Sequence, residues 1–323
     1  MALLPARLRA LAPTAAAAAL ALTLAACGSS GSSTPKAGSA TSAAGAAAPT
    51  SAAAQKGAVK VGAFDFPEGR LLANVYADGL KKAGYDASVV QLQQRETAQP
   101  ALQKGDIDVI PEYVSSLLDF LQANSSTPDA AANVTKLQGL ATAKGVTVLT
   151  PSAATDNYAY SVAKDFADKN NIKTLSDLAA YSKKSPITLA GTPECVDRSY
   201  CKKGLEKLYG FSFGGYKTTV LSSQASVDLL LRGQAQMLES NSSDGVLSAN
   251  PVVVLTDDKG LNHQDNIVPA VTTAKLTPEL KTALDAISAK LSQDALNKGN
   301  KDTQIDRKPV DEAATALVDS LGL

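Results

Sequence analysis

The sequence predicts an α/β fold in which strands and helices alternate. Apolar and β-branched runs that are typical of buried strands occupy 59–64, 87–92 and 107–110. Between them, apolar residues recur every three or four positions, as expected for helices that pack one face against a sheet. Parallel strands need such helical crossovers, so this order favours a mostly parallel sheet. The length of 323 residues allows a second unit, and we place the two units at 58–157 and 164–262.

Glycines mark the ends of many predicted helices, because glycine tolerates the left-handed conformation that ends a helix. These glycines are Gly84, Gly105, Gly145, Gly210 and Gly233. One predicted helix ends at Gly84, and the others cover 96–104, 117–121, 130–144, 164–170, 175–181, 203–209, 226–232, 278–291 and 310–321. The remaining predicted strands are 146–149, 157–162, 187–190, 216–221, 236–239, 252–255 and 267–271.

The composition excludes several classes of function. Basic and acidic residues both number 31, so no excess of positive charge points to nucleic acid as a partner. A single histidine, and three cysteines without metal-finger spacing, disfavour a structural zinc site. No P-loop sequence occurs, and we expect neither a metal nor another cofactor.

Residues 1–26 are predicted to be a signal peptide. Arg7 and Arg9 precede an Ala- and Leu-rich segment, 15–26, which is too short to span a bilayer stably. The sequence LAAC at 24–27 resembles the lipobox of bacterial lipoproteins, whose cysteine becomes the lipidated first residue. Cys27 is therefore the predicted lipidation site, and the alternative is an ordinary signal peptide with a chance cysteine.

The segment 27–57 is interpreted as the lipidated cysteine followed by a disordered tether. It consists almost entirely of small and polar residues, so it cannot bury enough apolar surface to fold. A flexible chain of this length has a root-mean-square reach of roughly 30 Å. We therefore predict an exported protein that is anchored to the outer face of the cytoplasmic membrane by a lipid.

Polar and aromatic residues follow the predicted strand 107–110, where Pro111 is expected to end the strand. Tyr113 offers an aromatic face, and Ser115 and Ser116 offer hydroxyl groups at the start of the next helix. Ligands of α/β proteins bind beyond the carboxyl ends of strands, and a helix start offers free N–H groups to an anion. An ordinary strand exit with a half-buried tyrosine is the alternative.

Two further strand ends place polar residues where they could face the same cleft. Asn157 and Tyr158 lie where the chain would cross from the first unit to the second, and Asn241 and Ser242 follow the strand 236–239. We expect these residues and Tyr113 to converge between the two units. Packing and turn capping are the alternative roles for each of them.

The sequence GFSFG at 210–214 matches the G-x-S-x-G motif of hydrolases, with Asp244 and His263 following in suitable order. A nucleophile elbow requires a strand before the serine and a helix after it. The pattern here predicts the reverse, so catalysis by Ser212 in an exported hydrolase remains only an alternative.

Cys195 and Cys201 are the two cysteines that remain after Cys27. Because the protein is predicted to be exported, we expect a disulfide that closes a small loop. A redox or metal-binding pair is the alternative, but it lacks both C-x-x-C spacing and a histidine partner. The disulfide would stiffen the irregular segment 193–201, which we expect to line the cleft.

Several stretches in the same order resemble the substrate-binding lipoproteins of osmoprotectant-type ABC importers, which take up glycine betaine, choline and carnitine. They cover most of residues 59–275. The stretches are FDFPEGRLLANVYADGL, RETAQPALQKGDIDVIPEYVSSLL, IKTLSDLA, PECVDRSYCKKGLEKLYGF and SDG followed by VVVLTDDKGLNHQDNIVPAV.

The resemblance implies a two-lobed periplasmic-binding-protein fold of type II with two chain crossovers at the hinge. The crossovers would lie near 158–162 and near 266–271, so that 58–160 and 266–323 form lobe 1 and 161–265 forms lobe 2. It also implies closure of the hinge on a ligand and delivery to an ABC permease with separate ATPase subunits. No enzymatic activity is expected.

The resemblance further implies a cage of tyrosines around a quaternary ammonium, with hydroxyl and amide groups at a carboxylate. Tyr113 and Tyr158 are assigned to the cation and Ser116 to the anionic end. Asn241 stands where the family often has tyrosine, and His263 and Gln264 stand where an aromatic is frequent. A larger or more polar zwitterion is therefore an alternative ligand. The remaining predicted contacts are Phe66, Glu68, Asn157 and Ser242.

Overall fold

Ten strands and twelve helices are present in the computed structural model, which describes residues 56–323. The strands are β1 (Ala58–Ala63), β2 (Asp86–Gln91), β3 (Val109–Tyr113), β4 (Val146–Val148), β5 (Tyr158–Ala163), β6 (Ile187–Gly191), β7 (Phe213–Thr218), β8 (Met237–Asn241), β9 (Val252–Val254) and β10 (Ile267–Thr272). They form two five-stranded sheets with the orders β2-β1-β3-β10-β4 and β7-β6-β8-β5-β9. The predicted α/β class is confirmed.

Helices separate most of the strands. They are α1 (Pro67–Lys82), α2 (Arg95–Lys104), α3 (Val114–Leu121), α4 (Ala130–Thr142), α5 (Lys164–Asn170), α6 (Leu175–Lys184), α7 (Lys202–Gly204), α8 (Gln224–Leu231), α9 (Gly245–Ser248), α10 (Pro278–Lys290), α11 (Gln293–Gln304) and α12 (Val310–Ser320). A π-helical turn, Leu205–Tyr209, continues α7. The sequence patterns did not predict α9 or α11.

Each sheet is mixed, which corrects the mostly parallel sheet that we predicted. β1 is parallel to β2 and β3, and β6 is parallel to β7 and β8. In contrast, β5 and β10 are antiparallel to both of their neighbours. The chain reaches each of these two strands directly from the part of the molecule that contains the other sheet. No crossover helix, which a parallel neighbour would require, therefore precedes them.

Pro111 lies inside β3, so the prediction that it ends the strand was wrong. It faces Pro269 of β10 across an antiparallel ladder in which Val114 donates its N–H to the carbonyl of Asn266. Opposed residues alternate between bonded and non-bonded pairs, which makes the two prolines a non-bonded pair that needs no N–H. On its other side, β3 pairs with β1 only at Val109, so the missing N–H of Pro111 removes no hydrogen bond between these two strands.

Two antiparallel segments, 149–157 and 255–266, connect the sheets. Asp156 donates its N–H to the carbonyl of Asp265 at 3.0 Å, and Thr155 forms an isolated bridge with Asn266. Both crossings lie a few residues before the predicted positions, since all of β5 pairs in the second sheet and all of β10 in the first. The division of the chain into two lobes stays a prediction. Because β5 pairs in the second sheet, the first boundary between the lobes would lie before Tyr158 and not after residue 160.

Separate apolar cores support the two sheets. In the first, Leu71, Leu72 and Tyr76 of α1 are completely buried. In the second, Leu175 and Leu178 of α6 are buried together with residues of β5 and β6. Each sheet is therefore stabilised by its own apolar core, and a cleft can form where the two packed sheets face each other.

The predicted signal peptide, Cys27 and most of the predicted tether lie outside the described residues. Within 56–323, no helix has the length and apolar character needed to cross a membrane.

Candidate functional site

We call the part of the molecule built on the first sheet the first half and the part built on the second sheet the second half. A cleft of about 650 Å³ opens between the two halves and is lined by residues of both. Six of the residues that we predicted as ligand contacts line it, namely Phe66, Tyr113, Ser116, Asn157, Tyr158 and Asn241. Glu68 is instead buried behind Tyr113, and Ser242 lines a neighbouring cavity of about 390 Å³. The strand ends thus meet as the sequence suggested, although their roles toward a ligand stay predictions.

Aromatic rings enter the cleft from both halves. Phe66 and Tyr113 come from the first half, with ring centroids 6.2 Å apart. Tyr158 and Tyr200 come from the second half, with ring centroids 5.0 Å apart and planes inclined by 59°. Tyr200 was not singled out from the sequence, because it lies in the irregular segment 193–201, which shows no periodicity.

The ring of Tyr113 is fixed by a buried carboxyl group. Its hydroxyl donates to Glu68 at 2.7 Å, and the other carboxyl oxygen of Glu68 accepts from the side-chain amide of Asn300 in α11 at 2.5 Å. The same amide donates to the carbonyl of Ser243 at 2.8 Å. Glu68, a predicted contact, therefore supports the cleft from behind and connects the two halves through Asn300.

A cluster of carboxyl groups lies at the cleft, with Asp156 and Asp265 in its lining and Glu68 and Asp244 buried nearby. Burial raises the pKa of Asp156 well above its usual range, and the nearby carboxylates of Glu68, Asp244 and Asp265 act in the same direction. Burial likewise raises the pKa of Glu68. Asp156 lines the cleft and accepts a hydrogen bond from the hydroxyl of Ser243 at 2.6 Å. An uncompensated group of this kind attracts a cation.

Two arginines differ in their pairing: Arg95 lines the cleft, and Arg198 contacts the hydroxyls of two tyrosines that line it. Arg95 forms a bidentate ion pair with the fully buried Glu112, and its charge is thereby compensated. Arg198 lies over the ring of Tyr200, with its guanidinium carbon 5.4 Å from the centroid. It also donates to the hydroxyls of Tyr158, at 3.3 Å, and of Tyr200. No carboxylate pairs with Arg198 in the described part of the chain.

The start of α3 does not offer the free N–H groups that we predicted. Asp265 accepts hydrogen bonds from the backbone N–H groups of Ser115, at 2.7 Å, and Ser116, at 3.1 Å. It also accepts from the hydroxyl of Ser116 at 2.5 Å. Burial raises the pKa of Asp265 to about 6, although these hydrogen bonds act in the opposite direction. A carboxylate of the chain, about 150 residues away in sequence, thus occupies this helix start.

Polar contacts also order the second strand end. The N–H of Asn157 donates to the hydroxyl of Ser242 at 2.9 Å, and the side-chain oxygen of Asn157 accepts from the N–H of Asp265 at 2.6 Å. The N–H of Asn241 donates to Asp244 at 2.9 Å. These bonds hold the connecting segments and the exit of β8 against one another.

The segment 193–201 places Ser199 and Tyr200 in the wall of the cleft, with Arg198 next to them. Cys195 and Cys201 at its ends are buried and joined by a disulfide in the structure. The carbonyl of Tyr200 accepts a hydrogen bond from the hydroxyl of Tyr160 at 2.8 Å. The segment is therefore attached to the second core at both of its ends and near Tyr200.

The alternative hydrolase site is not assembled. Ser212 precedes β7 and its N–H donates to the hydroxyl of Ser182, while Asp244 contacts Ser222 and Asn241. His263 is hydrogen-bonded to Ser126 instead. The three predicted members of a triad are thus bonded to different partners, and no nucleophile elbow is present at Ser212.

Comparisons with known proteins agree with this architecture. The family model described as the substrate binding domain of ABC-type glycine betaine transport system matches residues 57–320. A protein of Pseudomonas aeruginosa named glycine-betaine-binding protein is 26% identical over 270 residues, covering 81% of this chain and 87% of that protein. The glycine betaine-binding protein YehZ of Escherichia coli is 26% identical over 254 residues, covering 75% of this chain and 83% of the relative.

A solved structure shows the same fold. The crystal structure described as a glycine betaine/carnitine/choline ABC transporter has a TM-score of 0.74 and 23% sequence identity, and the match covers 81% of this chain and 98% of that one. The fold of a solute-binding protein and the family resemblance seen in the sequence are both confirmed. The chain belongs to the family of substrate-binding domains of ABC-type glycine betaine transport systems.

Proposed function

We propose that the chain binds a small solute with a quaternary ammonium group in the cleft. The observation that supports this most strongly is the set of four aromatic rings, two from each half, around a cleft that also exposes Asp156. A cation over a desolvated ring gains roughly 0.5–2 kcal/mol, and a nearby carboxylate adds to this attraction. Tyr113, Tyr158 and Tyr200 are the rings that we assign to the ammonium group, with Phe66 at the rim.

For a zwitterionic solute, we assign the carboxylate to the unpaired guanidinium of Arg198. Asn241 supplies a polar contact beside it, as predicted from the strand end. The hydroxyl of Ser116 can donate to an anionic group only if it gives up its hydrogen bond to Asp265, so we assign it a secondary role after Arg198. Such an arrangement accommodates glycine betaine, which the named relatives bind, and also a cation without a carboxylate, such as choline.

The biological role that follows is solute capture without catalysis. We propose export through the signal peptide 1–26, lipidation at Cys27, and a tether that holds the folded part near an ABC permease and its ATPase subunits. A disulfide between Cys195 and Cys201 is consistent with that location. Because the cleft lies between two separately packed halves, binding would be accompanied by rotation about the segments 149–157 and 255–266.

Calorimetric titration of Tyr158→Ala with choline and with glycine betaine tests the proposal. Loss of a ring from the cage should weaken binding of both compounds at least about tenfold, which corresponds to about 1.4 kcal/mol. Tyr181→Ala is the matched control, since Tyr181 is a half-buried tyrosine of the same half that packs against Phe166 away from the cleft.

The control should bind like the wild type. The proposal is contradicted if the wild type binds no quaternary ammonium compound, or if Tyr158→Ala and Tyr181→Ala have the same affinity.

A further inference from the structure

A second polar group lines the cleft one helical turn beyond Ser116. Asp119 follows Ser116 by three residues in α3, and both side chains line the cleft. Residues three apart are neighbours on a helix, and the rise of 1.5 Å per residue separates them by about 4.5 Å along the axis. The wall formed by α3 therefore extends the cleft past the residues assigned to the ammonium group.

Asp119, Ser126 and His263 form a chain of hydrogen bonds at this extension. One carboxylate oxygen of Asp119 accepts from the backbone N–H groups of Ser125, at 2.6 Å, and Ser126, at 2.8 Å. The hydroxyl oxygen of Ser126 lies 2.6 Å from the other carboxylate oxygen and 2.6 Å from Nδ1 of His263. We call these three side chains the polar end of the cleft.

The direction of these bonds fixes the proton on the histidine ring. Burial of Asp119 opposes ionisation, but the hydrogen bonds from Ser126 and Ser125 outweigh it and lower the pKa of Asp119. The ionised carboxylate only accepts, so the single hydroxyl proton of Ser126 points to it. Ser126 then accepts from His263, whose Nδ1 must carry a proton, and in this Nδ1–H tautomer Nε2 is a hydrogen-bond acceptor.

This acceptor is unused within the described part of the chain. His263 lines the cleft, and its only hydrogen bond among residues 56–323 is the one from Nδ1 to Ser126. The carboxylates of Asp119 and Asp265 line the same wall and repel an anionic group. The polar end thus suits a neutral hydrogen-bond donor and disfavours a carboxylate.

We infer that the polar end binds a hydroxyl or N–H group at the end of the solute opposite its quaternary ammonium. This inference rests on the proposed function and narrows it to quaternary ammonium compounds that extend beyond the aromatic rings and end in a donor. Nε2 of His263 accepts the hydrogen bond. His263 is then a residue that determines specificity, while the aromatic rings hold the part common to all ligands.

Matched pairs of ligands test this directly. Trimethylammonium alcohols with chains of two to five carbons are each compared with the alkyltrimethylammonium ion in which a methyl group replaces the hydroxyl. At the chain length that reaches His263, the alcohol should bind about two- to tenfold more tightly, the range expected for one net hydrogen bond. His263→Phe keeps a ring but removes Nε2, so this preference should disappear while binding of the alkyl ions remains.

Equal affinity of alcohol and alkyl ion at every length in the wild type overturns the inference and leaves the proposed function intact. A preference that survives in His263→Phe also overturns it. If no trimethylammonium compound binds at all, the proposed function fails and this inference fails with it.

A measurement on the wild-type protein tests the same inference without depending on the folding of a variant. The chain contains one histidine, so its ring nitrogens give a single set of signals in a ¹⁵N spectrum of the imidazole. The free protein should show the Nδ1–H tautomer, and the Nε2 signal should move when the alcohol binds but not when the matched alkyl ion binds. An Nε2–H tautomer in the free protein, or equal movement with both ligands, contradicts the inference.

Discussion

In the proposed function, Asp156 attracts the positive charge of the solute and makes the affinity dependent on pH. Its side chain is half-buried, and the nearby carboxyl groups of Glu68, Asp244 and Asp265 each oppose its ionisation. A bound ammonium group would compensate these charges and return the pKa of Asp156 toward its usual range. Binding and deprotonation are therefore coupled at this residue.

Binding of choline should release protons, and its affinity should rise with pH. The pKa of Asp156 is raised in the free protein, so a proton held there must be lost when the cation binds, and this cost disappears as the pH rises. The quaternary ammonium itself does not titrate. Calorimetry in two buffers of different ionisation enthalpy measures the protons released, and titrations between about pH 5 and about pH 8 measure the affinity.

Asp156→Asn is the control, since it keeps the size of the side chain but removes the ionisable group. It should bind choline more weakly at about pH 8, with fewer protons released. Proton uptake on binding, or an affinity that does not change across this range in the wild type, contradicts the role given to Asp156.

Individual residues of the cleft were predictable from the sequence only where local chemistry marked them. Tyr113 and Tyr158 stand out because aromatic residues are few, and because Tyr113 follows an apolar run while Tyr158 lies where the chain was expected to cross between the two units. Tyr200 and Arg198 lie in a segment without periodicity, and no local pattern indicates that Tyr200 lines the cleft or that Arg198 contacts Tyr158. The capping of α3 by Asp265 depends on a contact between residues about 150 positions apart, which a local pattern does not contain.

At the scale of elements, the segment 193–201 contributes Tyr200, one of the four aromatic rings of the cleft. Its two ends are held by Cys195 and Cys201, and it contributes Ser199 and Tyr200 to the cleft. A disulfide that closes so short a loop stabilises the folded state by about 2 kcal/mol in the chain-entropy model. Its second effect is local, because it limits the positions available to Tyr200 and Arg198.

Replacing both cysteines by serine should lower the melting temperature and weaken binding of choline several-fold, because the segment loses one of its attachments. Differential scanning calorimetry and binding titrations measure the two effects. Reduction of the wild type with dithiothreitol should produce similar changes, whereas the double variant should not respond to the reductant. An unchanged affinity in the double variant would show that the disulfide does not position the segment.

Helix α11 shows the limit of prediction from pattern alone. Its sequence, QDALNKGNKDTQ, contains few apolar residues and includes Gly299, so no amphipathic stripe marks it as a helix. Tertiary contacts compensate for this, since Leu296 and Asn300 are buried and Asn300 bonds to both Glu68 and Ser243. The backbone of Asn300 approaches so closely to Gly245 that an added Cβ there would lie 2.6 Å from it, which requires glycine in α9.

At the scale of the whole molecule, the alternation of strands and helices predicted the α/β class correctly. The mixed direction of the sheets was not predicted, because it follows from where β5 and β10 enter and not from their own sequences. Two connecting segments and the contacts of α11 join the halves, and we propose that they guide closure over a solute. We propose that aromatic rings from both halves surround one quaternary ammonium group in the closed cleft.

Nuclear Overhauser effects between the N-methyl protons of bound choline and the ring protons of the tyrosines test this claim most directly. The nine tyrosines lie in different parts of the described chain, so ring-specific labelling distinguishes the cleft from the rest of the surface. We predict contacts to Tyr113, Tyr158 and Tyr200, from both halves at once, and none to Tyr85 or Tyr181. A saturated complex with contacts to only one half, or only to tyrosines outside the cleft, would contradict the account.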